Sequence, residues 1–119
     1  MRELRKLFKS FRYAFQGLIV ASKERNFLIQ LVVGATAIVF AIILRLTSIE
    51  KIVVVLFTAL VLASEAMNSA IERLLDFVSQ ERIEEIREIK DLMAAAVLIL
   101  SFAALFVGIW IFGNALFHR

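Results

Sequence analysis

Hydrophobic and polar positions divide the chain into four stretches. Residues 4–18, "LRKLFKSFRYAFQGL", place Leu4, Leu7, Phe8, Phe11, Phe15 and Leu18 at helical spacing, with Arg5, Lys6, Lys9 and Arg12 mostly on the other side. This predicts a basic amphipathic helix over about 4–22, of the kind that lies in a membrane interface. Residues 27–44 carry no charge. They are about long enough to span a hydrocarbon core of ~30 Å. Arg45 to Lys51 reads as a short polar turn. A second span is expected over about 52–78, with Glu65 and Asn68 inside it. Residues 79–90, "SQERIEEIREIK", are strongly charged and read as a solvated helical extension or a loop. A third span follows over about 91–117. The pattern predicts an all-α integral membrane protein: one domain over 1–119, built from a surface helix and three transmembrane helices.

Composition removes the soluble alternative. The chain is 61% hydrophobic over 119 residues, with a mean hydropathy of +0.87, and a soluble domain of that size could not hide so much apolar side chain. The absence of Cys excludes disulfides and Cys-ligated metals. The single His, His118, stands beside Arg119 and reads as solvated. A net charge of +3 is too modest to point to nucleic acid. The first 25 residues alternate charged and apolar positions, so the start does not read as a signal peptide.

Topology follows from Lys and Arg. Arg2, Arg5, Lys6, Lys9, Arg12, Lys23 and Arg25 precede the first span, and Arg73, Arg82, Arg87 and Lys90 fall near the second connection. The opposite side has only Arg45, Lys51 and Arg119. The positive-inside rule places the N-terminus and the second connection in the cytoplasm, the side that holds ATP.

The second span carries unusual chemistry. In "ASEAMNSAIERLLDF", Glu65, Asn68, Glu72 and Asp76 arrive at intervals of three and four. At 100° per residue Asn68, Glu72 and Asp76 lie about 60° behind, about 20° behind and about 20° ahead of Glu65, all on one face. Glu65 sits about 10 Å deeper along the axis than Glu72. A carboxylate in hydrocarbon is costly and marks a functional site by default. The alternative is a protonated Glu65 with Asn68 joining helices. Acids near the interface suit Mg²⁺, which prefers oxygen ligands and keeps several waters. A deeper acid suits proton removal from a hydroxyl at headgroup level. Glu24, in "SKERNF", and Lys90 with Asp91 reach the same cytoplasmic level, where Lys90 could neutralise phosphate charge. Each of these three, taken alone, also reads as a solvated boundary residue. No G-x-x-x-x-G-K-[ST] or G-x-G-x-x-G is present, so no soluble nucleotide-binding fold is indicated.

"EAMNSAIERLLD" with "EIKDLMAAAVLI" resembles the prokaryotic diacylglycerol kinase and undecaprenol kinase family, whose signature E-x-x-N-[ST]-A-[IV]-E-x-x-x-D falls here on Glu65, Asn68, Ser69, Ala70, Ile71, Glu72 and Asp76. The resemblance runs from about Phe11 to Leu105 and includes "SFRYAFQGL" and "SKERNF". It implies a homotrimer in the cell inner (plasma) membrane, with active sites shared between chains at the cytoplasmic interface. It implies transfer of the ATP γ-phosphoryl group to a lipid hydroxyl. Glu65 would then be the catalytic base, and Glu24 and Glu72 would hold Mg²⁺ and ATP. Tyr13, Asn68, Asp76, Glu81, Lys90 and Asp91 would line the nucleotide site. Two stretches depart from the family pattern. "QERIEEI" has Glu81 but lacks the His that often follows it, and "KDLMAAAV" has Ala94 and Ala95 where diacylglycerol kinases tend to have Gly-Ser. These alanines, with "ERNF", resemble the undecaprenol kinase branch more. Diacylglycerol remains the other acceptor. A small transporter using Glu65 as its carrier site and a structural membrane subunit are the competing classes.

Overall fold

The computed structural model describes residues 1–81 and 83–118. Among them the chain forms four helices: α1 (Arg2–Ala21), α2 (Arg25–Ile43), α3 (Ser48–Val78) and α4 (Glu84–Phe117). Three of these, α2, α3 and α4, are long and apolar enough to cross a membrane. Arg82 and Arg119, both counted in the charge asymmetry, lie outside the described residues.

The α2–α3 hairpin is closed by local chemistry. Leu46 N–H donates to the Ala41 carbonyl and Arg45 N–H to the Ile42 carbonyl. This 6→1 and 5→2 pair is the Schellman arrangement. It needs a left-handed residue, and Arg45 supplies it with φ 54° at some steric cost for a residue with a Cβ. Leu46 tucks under the turn at 3% exposure. Thr47 then caps α3: its Oγ1 accepts from Glu50 N–H at 3.2 Å, and Glu50 Oε1 accepts from Thr47 N–H at 2.9 Å. The capping box starts α3 at Ser48, four residues earlier than the hydrophobic run indicates.

At the other end, α4 begins at Glu84, inside the charged stretch. The first turn places Glu84 and Glu85 where a helix N-terminus favours negative charge. Arg87 pairs with Glu84 one turn away. Of the two readings of residues 79–90, the structure therefore shows helix from Glu84 onward.

The central helix is α3, which packs against both α2 and α4. Toward the hairpin end, Ala41, Leu46, Val54 and Ile111 form the buried cluster. Midway, Gly34 meets Thr58 so closely that a Cβ at Gly34 would overlap Thr58 Cγ2. Elsewhere the spans face outward: only 17%, 22% and 6% of their most apolar windows in α2, α3 and α4 are buried. Ile43, Ile52, Ile99 and Trp110 are more than three-fifths exposed. Such surfaces need hydrocarbon or another apolar partner around them. Helix α1 buries only Ala21, and residues 2–20 are exposed.

Candidate active site at the C-terminal end of α3

The Gly34–Thr58 crossing sets the register of the site. Antiparallel neighbours advance equally, so Phe27, seven residues from Gly34, shares a level with Glu65, seven residues from Thr58. Both are buried, at 5% and 6% exposure. The same count puts Glu24 level with Asn68. Helix α2 begins there, at Arg25. Residues 69–78 of α3 therefore continue about 15 Å past the end of α2. Glu72 and Asp76 stand exposed on that overhang. The face that packs on α2 at Thr58 thus carries Glu65 under cover, then Asn68 at the edge, then Glu72 and Asp76 in the open.

Two ion pairs brace the overhang. Arg73 Nη2 donates to Glu24 Oε1 at 2.7 Å, tying the start of α2 to α3. Lys90 Nζ donates to Asp76 Oδ1 at 2.8 Å, tying α4 to α3. All four side chains are at least a third exposed, so each pair is worth about 0.2–1 kcal/mol to stability. Glu24 is the N-cap of α2, in extended conformation, and its side chain makes no capping hydrogen bond.

A cleft of about 710 Å³ opens between the end of α3 and the start of α4. Asp76, Glu81 and Lys90 line it, together with Ser79, Gln80 and Arg87. Its size falls in the range that takes a small-molecule ligand, about 300–1,000 Å³. Ser79 Oγ accepts from Glu81 N–H at 3.1 Å and shapes the turn.

The structure gathers most of the residues singled out from sequence at one end of the bundle. Glu24, Asn68, Glu72, Asp76 and Lys90 lie on or beside the overhang, and Glu65 lies beneath it. Asp91 and Glu81 are exposed nearby, on α4 and on the connection. Tyr13 is not buried against the site: it is 64% exposed on α1. Among the described residues no three His, Cys, Asp or Glu side chains converge as a preformed metal cluster. The donor set still fits Mg²⁺. That ion binds through one or two carboxylates plus substrate phosphates and retains water, and Glu24 and Glu72 offer two carboxylates about one helical turn apart along α3. Asn68 Oδ1 is buried without a hydrogen-bond partner, an acceptor left free for a cation or donor. Arg73 and Arg87 were not among the residues singled out for the site. The partner of Arg73 stands 49 positions away, a distance no helical period reveals.

Residues 12–112 match the family described as prokaryotic diacylglycerol kinase. The chain belongs to that family. A diacylglycerol kinase of Synechocystis sp. is 38% identical over 104 residues, covering 86% of this chain and 59% of that protein. An undecaprenol kinase of Bacillus subtilis is 28% identical over 111 residues, covering 92% of this chain and 90% of that protein. The chain thus spans about three-fifths of the Synechocystis relative and nine-tenths of the Bacillus one. The family is one of lipid kinases, and both relatives are kinases by name. The family match takes in every residue of the overhang and of the two ion pairs.

Proposed function

We propose that the protein transfers the γ-phosphoryl group of ATP to the hydroxyl of a membrane lipid alcohol at the cytoplasmic face of the inner membrane. One observation carries the reading. A buried acid, Glu65, lies on the same helix face as two exposed acids, Glu72 and Asp76, that emerge past the end of α2. The face thus joins a lipid-depth proton acceptor to a water-level nucleotide site.

In this reading Glu65 takes the proton of the acceptor hydroxyl. Glu24 and Glu72 hold the divalent cation that accompanies ATP. Bound there, Mg²⁺ would neutralise charge on the phosphates and orient the γ-phosphoryl group. Asn68 stands between base and cation ligands. Lys90, released from Asp76, meets phosphate charge, and Asp76, Glu81 and Asp91 border the nucleotide. Tyr13 belongs to this set only if α1 folds over the overhang or is supplied by another copy. The assembly is read as a homotrimer, which would cover part of the exposed apolar surface of α2 to α4.

Undecaprenol is the first acceptor, favoured by Ala94, Ala95 and the "ERNF" stretch. Diacylglycerol is the second, favoured by the 38% identity with the Synechocystis relative of that name. Purified protein in detergent micelles, given radiolabelled ATP, Mg²⁺ and each lipid alcohol in turn, separates them. The expected result is a labelled lipid phosphate from one acceptor, abolished by chelating the metal. Label on neither lipid, with ATP intact, would return the chain to the transporter or structural classes.

A further inference from the structure

We propose that Arg73 is a positioning residue for the metal–nucleotide site: it holds the Glu24 carboxylate in place so that one of its oxygens stays open to the cation. This rests on the kinase reading above.

Glu24 stands at a corner. Helix α1 ends at Ala21 and α2 begins at Arg25, and the bend is closed by the N–H groups of Ser22, Lys23 and Glu24 on carbonyls of α1. A carboxylate at the N-cap has a ready alternative, which is to fold back on the free N–H groups of its own helix. Glu24 does not take it. Its carboxylate turns instead toward α3, where Arg73 Nη2 donates to Oε1 at 2.7 Å.

Arg73 is suited to this task. It lies about 80° round α3 from Glu65, so it flanks the acidic stripe instead of occupying it. Its guanidinium keeps its charge and presents fixed donors. It donates hydrogen bonds and cannot ligate a cation, so it organises the ligand without competing for metal. The contact engages Oε1 and leaves Oε2 for a cation one residue along α3 from Arg73, beside Glu72. Hydrogen-bond partners of metal-ligating carboxylates are a general feature of metal sites, and losing one typically weakens metal binding about 10–100-fold. The exposure of both groups, 57% and 38%, keeps the pair a minor contributor to the fold, so its main effect falls on the orientation of Glu24.

The test is a Mn²⁺ titration of the full chain in micelles with a non-hydrolysable ATP analogue, read by the electron paramagnetic resonance signal of free Mn²⁺. Thermal unfolding is followed on the same samples. Arg73→Ala is expected to weaken Mn²⁺ binding by about 10-fold or more, with unfolding shifted only slightly. Arg73→Lys keeps the charge without the fork and is expected to fall between wild type and Arg73→Ala. Adding Arg73→Ala to Glu24→Gln should cost nothing further, because Arg73 acts through Glu24. Wild-type Mn²⁺ affinity, or tighter binding, in Arg73→Ala alongside weakened binding in Glu24→Gln would overturn the inference and leave the kinase reading standing. Wild-type affinity in Glu24→Gln itself would overturn the metal role of Glu24, and the inference with it.

Discussion

Lys90 donates to Asp76 across 2.8 Å, joining α4 to α3 beyond the point where α2 begins. The two residues stand 14 positions apart, on either side of the connection. Both were assigned to the nucleotide site from sequence, and the structure shows them engaged with each other. Lys90 is thus held at the mouth of the cleft by a partner weak enough to yield to a phosphate.

Replacement of Lys90 by Met should therefore separate binding from stability. Loss of the exposed pair is expected to cost about 0.2–1 kcal/mol of stability. Loss of a charge-assisted contact to phosphate, worth about 1.5–3 kcal/mol, should raise the KM for ATP about 10-fold or more. Steady-state kinetics over an ATP series, with thermal unfolding in parallel, distinguishes the two. An unchanged KM would make Lys90 a strut between helices and nothing more.

The Gly34–Thr58 crossing sets the depth of Glu65 and is open to a direct packing test. A Cβ at Gly34 would overlap Thr58 Cγ2, and Thr58 is held in place because its Oγ1 donates to the Val54 carbonyl at 2.8 Å. Gly34→Ala should destabilise the protein by about 1–3 kcal/mol, the scale of overpacking in a close-packed core. Thr58→Ser removes Cγ2 and keeps the hydroxyl, so the double mutant should recover much of the loss. Unfolding in detergent on the four-member cycle gives the coupling. Simple additivity would mean the helices part at little cost and the crossing does not fix the register.

What was legible in the sequence follows from which information is local. The acidic stripe was readable because Glu65, Asn68, Glu72 and Asp76 share one helix, and a single helical period places them on one face. The three spans were readable from uninterrupted apolar runs. The start of α3 was missed: Thr47 and Glu50 spell a capping box, but they sit in a stretch whose polarity suggested a turn. The start of α4 stayed open between helix and loop because its first two turns are charged, and hydrophobicity cannot separate a protruding helix from a solvated loop. The Arg73–Glu24 and Lys90–Asp76 pairs depend on the register between helices, which no single-helix period contains. The cover that Phe27 shares with Glu65 depends on the same register.

The charge asymmetry predicts a testable orientation. With the N-terminus and the α3–α4 connection in the cytoplasm, the C-terminus lies outside. A reporter that is active only in the cytoplasm should be silent when fused after residue 119 and active when fused before residue 1. Bright signals at both ends would contradict three spans, and a bright C-terminal signal with a silent N-terminal one would invert the orientation and move the acidic overhang away from ATP.

Glu65 carries the most specific prediction. It is one of the two buried polar residues described, at 6% exposure, while the other acids of its stripe are exposed. An acceptor hydroxyl holds its proton at neutral pH, so the proton must leave as the phosphoryl group arrives. Glu65 lies about two turns from Glu72 on one face, and in the proposed reading that is the depth of the lipid hydroxyl. If it is the base, Glu65→Gln should lower the rate of the chemical step by about 10²–10⁴-fold, the usual contribution of general base catalysis. The substitution keeps shape and removes charge, so Glu24, Glu72 and Lys90 should still hold the nucleotide. Stability should be retained or increased, because a costly intramembrane acid is gone. Single-turnover phosphorylation and an ATP-binding titration on the same mutant provide the check. A slow chemical step with normal ATP binding is the expected outcome. Retained turnover, or a loss accounted for wholly by weaker ATP binding, would take the base role from Glu65 and leave it a buried polar residue that joins helices.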